Sequence, residues 1–467
     1  MFKSDELNKR TNSYEIALNS VYKKDNGIFN TEFSLAKKII EFLDIPKEAI
    51  VLDPCCGVSN FLLSAKQCGI KNIFGADIDK KAVELSQELL GADCIKKIDT
   101  IANNGAITLK KLGIEKVPYI VGNPPYVPLS RSINIETKDY LFLRNVKDAG
   151  SNLFIGALFR ALEMVQDGGI ISYIVPKNFL HVAGYSLLRR KLLKEKQILS
   201  VVDLGKCFKD VRGEQILLTI KNGFANDNAI DFFSLANGGF VKTISIAQSF
   251  FNDEIIIFEN QSDFEIYKKL NDTYQKFSNV KTGYIGRGRS KSANAISGKD
   301  IRKFGFKTVA VPQKGNQVFI QNIYSAEAGI IACFGGDLEA TETVTVFTDG
   351  DPKMCHYITG VLHSNLCNFF LVKYCYNNST LTMHTDPNYL LRIPLERKPE
   401  TFDQIVNVVK TLEKVDYMSN EWFLFVAELN RLVYQTYGLG KEQIDFIETT
   451  IKAIQSSRWH NDERKAM

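Results

Sequence analysis

The chain has 467 residues, is 45% hydrophobic and 24% charged, and carries a formal net charge of +5. That length supports two or three domains, and no apolar run approaches a membrane span. Nine cysteines without paired spacing and five scattered histidines argue against a metal site.

The N-terminus, Met1-Phe2-Lys3-Ser4-Asp5-Glu6, lacks the apolar core of a signal peptide. The adjacent Cys55 and Cys56 suit a reducing cytoplasm better than a disulfide framework, so a cytoplasmic protein is expected. Residues 1–22 read as an amphipathic helix covering the first domain. After Gly27-Ile28-Phe29-Asn30-Thr31-Glu32-Phe33, the apolar periodicity of 35–43 predicts a helix. Thr31 can cap it, and the helix N-terminus would equally favour a ligand carboxylate. Residues 49–52 read as a strand running into Asp53-Pro54-Cys55-Cys56-Gly57-Val58-Ser59-Asn60-Phe61, a tight loop of small residues before a helix over 60–67. Gly57 permits close backbone approach by a ligand, and Asp53 at the strand's end can meet a ligand ammonium.

A second strand, 72–76, ends in Asp77-Ile78-Asp79. Asp77 lies 24 residues after Asp53, near the offset at which a carboxylate binds ribose hydroxyls in nucleotide-binding βαβ units. The loop is not Gly-x-Gly-x-x-Gly, so a small adenosyl cofactor fits better than a dinucleotide. Taken singly, each carboxylate reads as a solvated strand end; the spacing favours binding. A helix over 80–90 and a short strand over 94–98 lead to Asp99, which can accept from an adenine amino group or cap the next turn.

The segment 119–122 is a short apolar run that reads as a buried strand. It stops at Asn123-Pro124-Pro125-Tyr126, because a residue before proline avoids helical geometry and prolines cannot continue a ladder. A stiff elbow at a strand's carboxyl end is where open α/β sheets bind ligands. The chemistry that fits is methyl transfer to a planar amino nitrogen, whose lone pair is delocalised. The Asn123 side-chain oxygen and the Pro124 carbonyl can each accept from the NH2 group, favouring a pyramidal nitrogen and stabilising the charge that develops on it. Pro124 and Pro125 hold the acceptors without loop entropy, and Tyr126 can stack on the ring being modified.

Residues 130–150 read as a polar loop. Helices over 152–165 and 185–194 alternate with strands over 170–175 and 198–203, and 215–221 reads as a last strand. Alternation over about 200 residues indicates one doubly wound α/β sheet.

By this order of motifs the chain resembles the amino-group DNA adenine methyltransferases of restriction–modification systems, the class with cofactor motifs first and recognition domain last. Asp53 to Phe61 is similar to the family's Asp-Pro-x-x-Gly-x-Gly-x-Phe loop, with Ser59 where the second glycine is usual. Gly75-Ala76-Asp77-Ile78-Asp79 resembles its ribose-binding segment. Asp99 matches the acid that meets the cofactor adenine, and Asn123 to Tyr126 the catalytic tetrad. Gly27 to Thr31 resembles the segment touching the methionine carboxylate, with Glu32 where a proline is usual. Phe208, in Gly205-Lys206-Cys207-Phe208, resembles the aromatic that packs against the flipped base. The resemblance implies a Rossmann-like fold with S-adenosylmethionine as cofactor, bound by Thr31, Asp53, Cys55, Gly57, Asp77, Ile78, Asp99, Asn123 and Pro125. It implies direct in-line transfer without a covalent intermediate, with double-stranded DNA as partner, a monomer acting on it, and a cognate restriction endonuclease acting separately. Cytosine N4 is chemically open as target; motif order and the asparagine at 123 lean to adenine N6.

From about residue 226 the pattern changes to short strand-like runs at 231–235, 254–258, 318–323, 330–334 and 344–347, predicting a mixed α+β domain. Residues 281–307 hold eight basic side chains and one acid, Asp300. Arg287, Arg289 and Lys291, spaced by Gly and Ser, suit a phosphate-gripping loop or solvated charge. An aromatic-rich helix over 356–376 and helices over 401–414, 422–437 and 442–454 complete the chain. The expected organisation is a catalytic domain over 1–225, a target recognition domain over 226–400 and a C-terminal helical segment over 401–467. RNA or a protein glutamine as methyl acceptor, and a non-catalytic DNA-binding subunit, are the competing readings.

Overall fold

The computed structural model describes residues 13–14, 29–128, 152–208, 211, 213–236, 238–278, 280–282, 295–379, 383–385, 387–397 and 399–466. Apart from residues 13–14, the helix expected over 1–22 lies outside them, as do the loop over 130–150 and the basic residues Arg287, Arg289 and Lys291. The chain forms two compact units, Met1–Glu259 and Asn260–Met467.

In the first unit the amphipathic helix α1 (Phe33–Leu43) precedes β1 (Ile50–Asp53), α2 (Asn60–Gln67), β2 (Asn72–Asp77), α3 (Lys80–Leu90), β3 (Ile95–Lys97), α4 (Gly105–Leu112) and β4 (Val117–Gly122). There follow α5 (Leu153–Met164), β5 (Val165–Pro176), α6 (Ser186–Glu195), β6 (Gln197–Gly205), β7 (Gln215–Lys221), β8 (Ala229–Ala236) and β9 (Gly239–Ala247). The nine strands make one sheet in the order β3-β2-β1-β4-β5-β7-β6-β8-β9. β3, β2, β1, β4 and β5 are parallel, and β7 is inserted antiparallel between β5 and β6. Val51, Ile73, Ile95, Val121 and Ile174 from the strands pack with Ile39, Ile40 and Leu62 from the helices. Strands covered on both faces read as near-continuous apolar runs, which is why they were visible in the sequence.

The first unit ends 34 residues later than the expected boundary at 225, at Glu259. β8 pairs in parallel with β6 and closes a hairpin with β9, so both extend the main sheet. The run 254–258, buried from Ile255 on, joins no strand; the Ile255 amide donates to the Leu180 carbonyl at 3.0 Å.

The second unit holds α7 (Gln261–Thr273) and an antiparallel sheet of β10 (Val280–Thr282), β11 (Gln317–Gln321), β12 (Ala332–Gly336) and β13 (Val344–Thr348), in the order β10-β13-β11-β12. The single helix expected over 356–376 is broken. α8 (Pro352–His363) ends at Ser364, whose hydroxyl accepts from the Cys367 amide at 3.1 Å and caps α9 (Asn365–Phe370); a π-helical turn, Leu371–Cys375, follows. α10 (Phe402–Leu412), α11 (Asn420–Thr436) and α12 (Lys441–Ala466) belong to this same unit. A Cβ at Gly360 on α8 would meet Ile405 and Val409 at 2.9 Å and Leu429 at 3.1 Å, so α8 packs directly on α10 and α11.

Candidate active site

The strand order reverses between β1 and β4, and open α/β sheets bind ligands outside the carboxyl ends of strands at such a point. A cavity lies there. Its lining includes Phe29, Asn30 and Thr31 from before α1, Asp53, Cys55, Gly57 and Asn60 from after β1, and Asn123 from after β4.

The loop after β1 owes its shape to two left-handed residues, Gly57 at φ +51° and Ser59 at φ +64°. Ser59 therefore adopts the conformation for which the family pattern has glycine. The Gly57 amide donates to Asp77 Oδ2 at 2.7 Å, and the Asp79 amide to Asp77 Oδ1 at 2.8 Å. Asp77 thus ties the ends of β1 and β2 together. An ionised carboxylate offers about four lone-pair sites, so two amides leave room for ribose hydroxyls. Ile78 beside it is 60% exposed. Asp99 Oδ1 accepts from the amides of Ile101 and Ala102 at 3.1 and 2.9 Å, the turn-capping role.

Asp53 is 2% exposed, and its Oδ1 accepts from the Cys55 amide at 3.1 Å. Burial, with the Asp77 charge adding to it, pushes its carboxyl up to about 8. A cation placed beside it would reverse that shift. Gly122, at φ +153°, makes room for this carboxylate: a Cβ there would lie 2.6 Å from Asp53 Oδ1. Burial also pushes the Cys55 and Cys56 thiols well up, which keeps them from acting as nucleophiles.

Thr31 does not cap α1. Glu32 holds the cap position, without a side-chain hydrogen bond, and the buried Thr31 hydroxyl has no partner. Asn30 Nδ2 and Asn60 Oδ1 are likewise buried and unpartnered, while Asn60 Nδ2 donates to the Thr31 carbonyl at 2.8 Å. Three unsatisfied polar groups thus belong to residues lining one cavity that also holds a buried carboxylate. Such groups are costly unless a ligand meets them. A hydroxyl and an amide NH2 match a ligand carboxylate; Asp53 and Asn60 Oδ1 match an ammonium. Asn30, Asn60 and Gly122 went unassigned in the sequence, although a glycine closing a strand is a signal of close approach.

At the elbow, Asn123 Nδ2 donates to the Phe29 carbonyl at 2.8 Å, which fixes the orientation of the amide and so of its acceptor atom, Oδ1. The Tyr126 hydroxyl donates to that Oδ1 and also lies 2.8 Å from the Ile174 carbonyl oxygen. The Tyr126 and Phe208 rings meet at 6.5 Å between centroids, inclined at 62°. A planar base between two rings needs a parallel slot of roughly 7 Å, two van der Waals contacts. In this conformation the two rings do not form such a slot. Thr31, Asp53, Cys55, Gly57 and Asn123 converge on one cavity; Asp77 joins through Gly57, and Tyr126 with Phe208 through Asn123. Among the described residues no group of histidines, cysteines and acids could hold a metal.

Residues 71–208, from β2 through the elbow to Phe208, match the Eco57I restriction-modification methylase family. The chain is 31% identical over 202 residues to Type II methyltransferase M.VspI of Vibrio sp. (strain 343), covering 42% of this chain and 48% of that one. It is 30% identical over 157 residues to a tRNA (guanine(10)-N2)-dimethyltransferase of Methanocaldococcus jannaschii, covering 32% and 44%. The Type IIL restriction-modification enzyme MmeI, solved in complex with DNA, shares the fold over 96% of this chain and 77% of its own, with TM-score 0.54 and 11% identity. This likeness shows the fold alone, a mixed α/β architecture around a mostly parallel sheet. The methyltransferase cofactor implied by these matches is S-adenosylmethionine. Its methionyl carboxylate and ammonium fit the unpartnered donors and the buried Asp53 described above. The chain spans about half the length of these two curated relatives.

Proposed function

We propose that the chain is a site-specific DNA adenine-N6 methyltransferase of a restriction–modification system. The observation that carries this reading is Asn123: its amide is oriented by Phe29, and it lines a small cavity whose buried Asp53 and unpartnered polar groups suit an amino-acid-bearing cofactor. S-adenosylmethionine, when bound, supplies an electrophilic methyl group on a sulfonium centre. Asn123 Oδ1 and the Pro124 carbonyl accept from the target NH2 and stabilise the charge that grows on its nitrogen. Asp53 holds the cofactor's ammonium, Thr31 and Asn30 its carboxylate, and Asp77 its ribose. An adenine within a duplex cannot reach this elbow, so it is flipped out, with Tyr126 and Phe208 packing against it. Arg287, Arg289 and Lys291 contact phosphates. The enzyme acts as a monomer, with any cognate endonuclease separate.

The match to Type II methyltransferases and the fold shared with MmeI support DNA as substrate; the likeness to the archaeal tRNA enzyme favours structured RNA as the second reading. The test is transfer of tritiated methyl groups from S-adenosylmethionine to unmodified phage DNA and to bulk tRNA, with nucleoside analysis of the product. N6-methyladenine in DNA supports the proposal. N4-methylcytosine, or label in tRNA alone, refutes it.

A further inference from the structure

Phe208 directly follows a residue, Cys207, whose backbone amide is held by a buried side chain. Gln215, the first residue of β7 and 1% exposed, pairs with Pro176 of β5 and with Gly205 of β6. Gln215 Oε1 accepts from the Cys207 amide at 3.3 Å, with the Cys207 thiol at the same distance, and Nε2 donates to the Gly213 carbonyl at 2.9 Å. A flipped amide would set NH2 against N–H and oxygen against oxygen, so the partners fix its orientation. Two further ties flank the grip. The Lys177 amide donates to the Glu214 carbonyl at 2.9 Å, and Asp203 accepts from the Gly205 amide at 3.0 Å while pairing with Lys177 Nζ at 2.6 Å.

We infer that Gln215 is a positioning residue that sets where Phe208 stands beside Tyr126. The inference rests on the proposed base-packing role of Phe208. Its physical content is that Gln215 fixes the backbone at Cys207, the residue before Phe208, and with it the position from which that buried ring meets a base; at 62° to Tyr126 the ring does not offer a parallel face in this conformation. Among the described residues the side chain of Gln215 bonds to Cys207 and Gly213, neither of which lines the cofactor cavity, so its loss is expected to spare cofactor binding and to act on the chemical step.

The test is a double-mutant cycle of Gln215→Met and Phe208→Ala, reading kcat and KM for tritiated methyl transfer to unmodified phage DNA, with S-adenosylmethionine affinity by calorimetry. Two lost hydrogen bonds predict that Gln215→Met lowers kcat roughly tenfold, with cofactor affinity within about twofold of wild type. Gln215→Glu keeps an acceptor toward Cys207 and is expected to fall between; it carries the cycle if the methionine variant does not fold. In the Phe208→Ala background either Gln215 change should cost less than about twofold, since there is no ring left to position. Losses that multiply, with Phe208→Ala itself impaired, overturn the positioning role alone. An unimpaired Phe208→Ala enzyme overturns the base-packing role of Phe208 and this inference with it.

Discussion

The hydroxyl of Tyr126 donates to the side-chain oxygen of Asn123, the atom that is proposed to receive the target amino group. One lone pair of that acceptor is thus met from within the protein, and a substrate NH2 competes with that hydroxyl for the oxygen. The Ile174 carbonyl, 2.8 Å away, is ready to take the displaced hydrogen bond. Exchanging one net hydrogen bond for another costs about 1 kcal/mol or less. Tyr126→Phe keeps the ring and removes the competitor, and is expected to raise kcat/KM by about two- to fivefold. Tyr126→Ala removes the ring as well and is expected to lower it by at least tenfold. Steady-state kinetics on unmodified DNA checks both. A Phe variant as impaired as the Ala variant contradicts a purely competing role for the hydroxyl.

Asp53 should couple cofactor binding to a proton. Its carboxyl is raised from 3.8 to about 8 by burial, with the Asp77 charge adding. The folded protein therefore holds a proton there that the unfolded chain has released. Between about pH 4 and pH 8 this group lowers stability as pH rises. An ammonium beside Asp53 favours the carboxylate, so binding S-adenosylmethionine at pH 7 should release about one proton. Calorimetry in buffers of different ionisation enthalpy measures this. Asp53→Asn should release none, bind the cofactor roughly a hundredfold more weakly, and be more stable at pH 8 without ligand by about 1–2 kcal/mol. Proton uptake on binding by the wild type would refute the assignment.

Gly122 and Asp53 occupy each other's space. A Cβ at Gly122 would stand 2.6 Å from Asp53 Oδ1, at a φ of +153° that a side chain disfavours. Gly122→Ala is expected to weaken S-adenosylmethionine binding at least tenfold, a loss of about 1.4 kcal/mol, and to lower the unfolding midpoint. Wild-type affinity in this variant would show that the carboxylate can be displaced without consequence.

Much of the first unit was legible because its central strands are buried on both faces and end in chemically marked loops. Asp53, Asp77 and Asn123 each follow an apolar run, and the structure puts all three at one edge of the sheet. What was not legible depends on partners far away in sequence. Periodicity marks 231–235 as a strand but cannot say that it pairs with Ser200 to Asp203 rather than opening a new domain. Thr31 before a helix reads as a cap; only the fold shows Glu32 in that position and the Thr31 hydroxyl buried against the cavity. The break at Ser364 carries no Gly or Pro, and the serine caps the helix that follows.

Ser59 offers a test of backbone strain. A non-glycine residue at φ +64° costs about 1 kcal/mol relative to glycine. Ser59→Gly should raise the unfolding free energy, read from the denaturant midpoint and slope, by an amount near that cost and leave cofactor affinity within about twofold. A destabilised Ser59→Gly would mean that the buried hydroxyl contributes more than the strain removes.

The measurement that tests the central claim most directly is single-molecule sequencing of plasmid DNA from a methylation-deficient host expressing the protein, beside Asn123→Ala. The account predicts N6-methyladenine at one short sequence motif with the wild type and none with Asn123→Ala, while the variant still binds S-adenosylmethionine. Unmodified plasmid, from a soluble wild type that binds the cofactor, would contradict DNA adenine methylation; modification that survives Asn123→Ala would contradict the role given to the elbow.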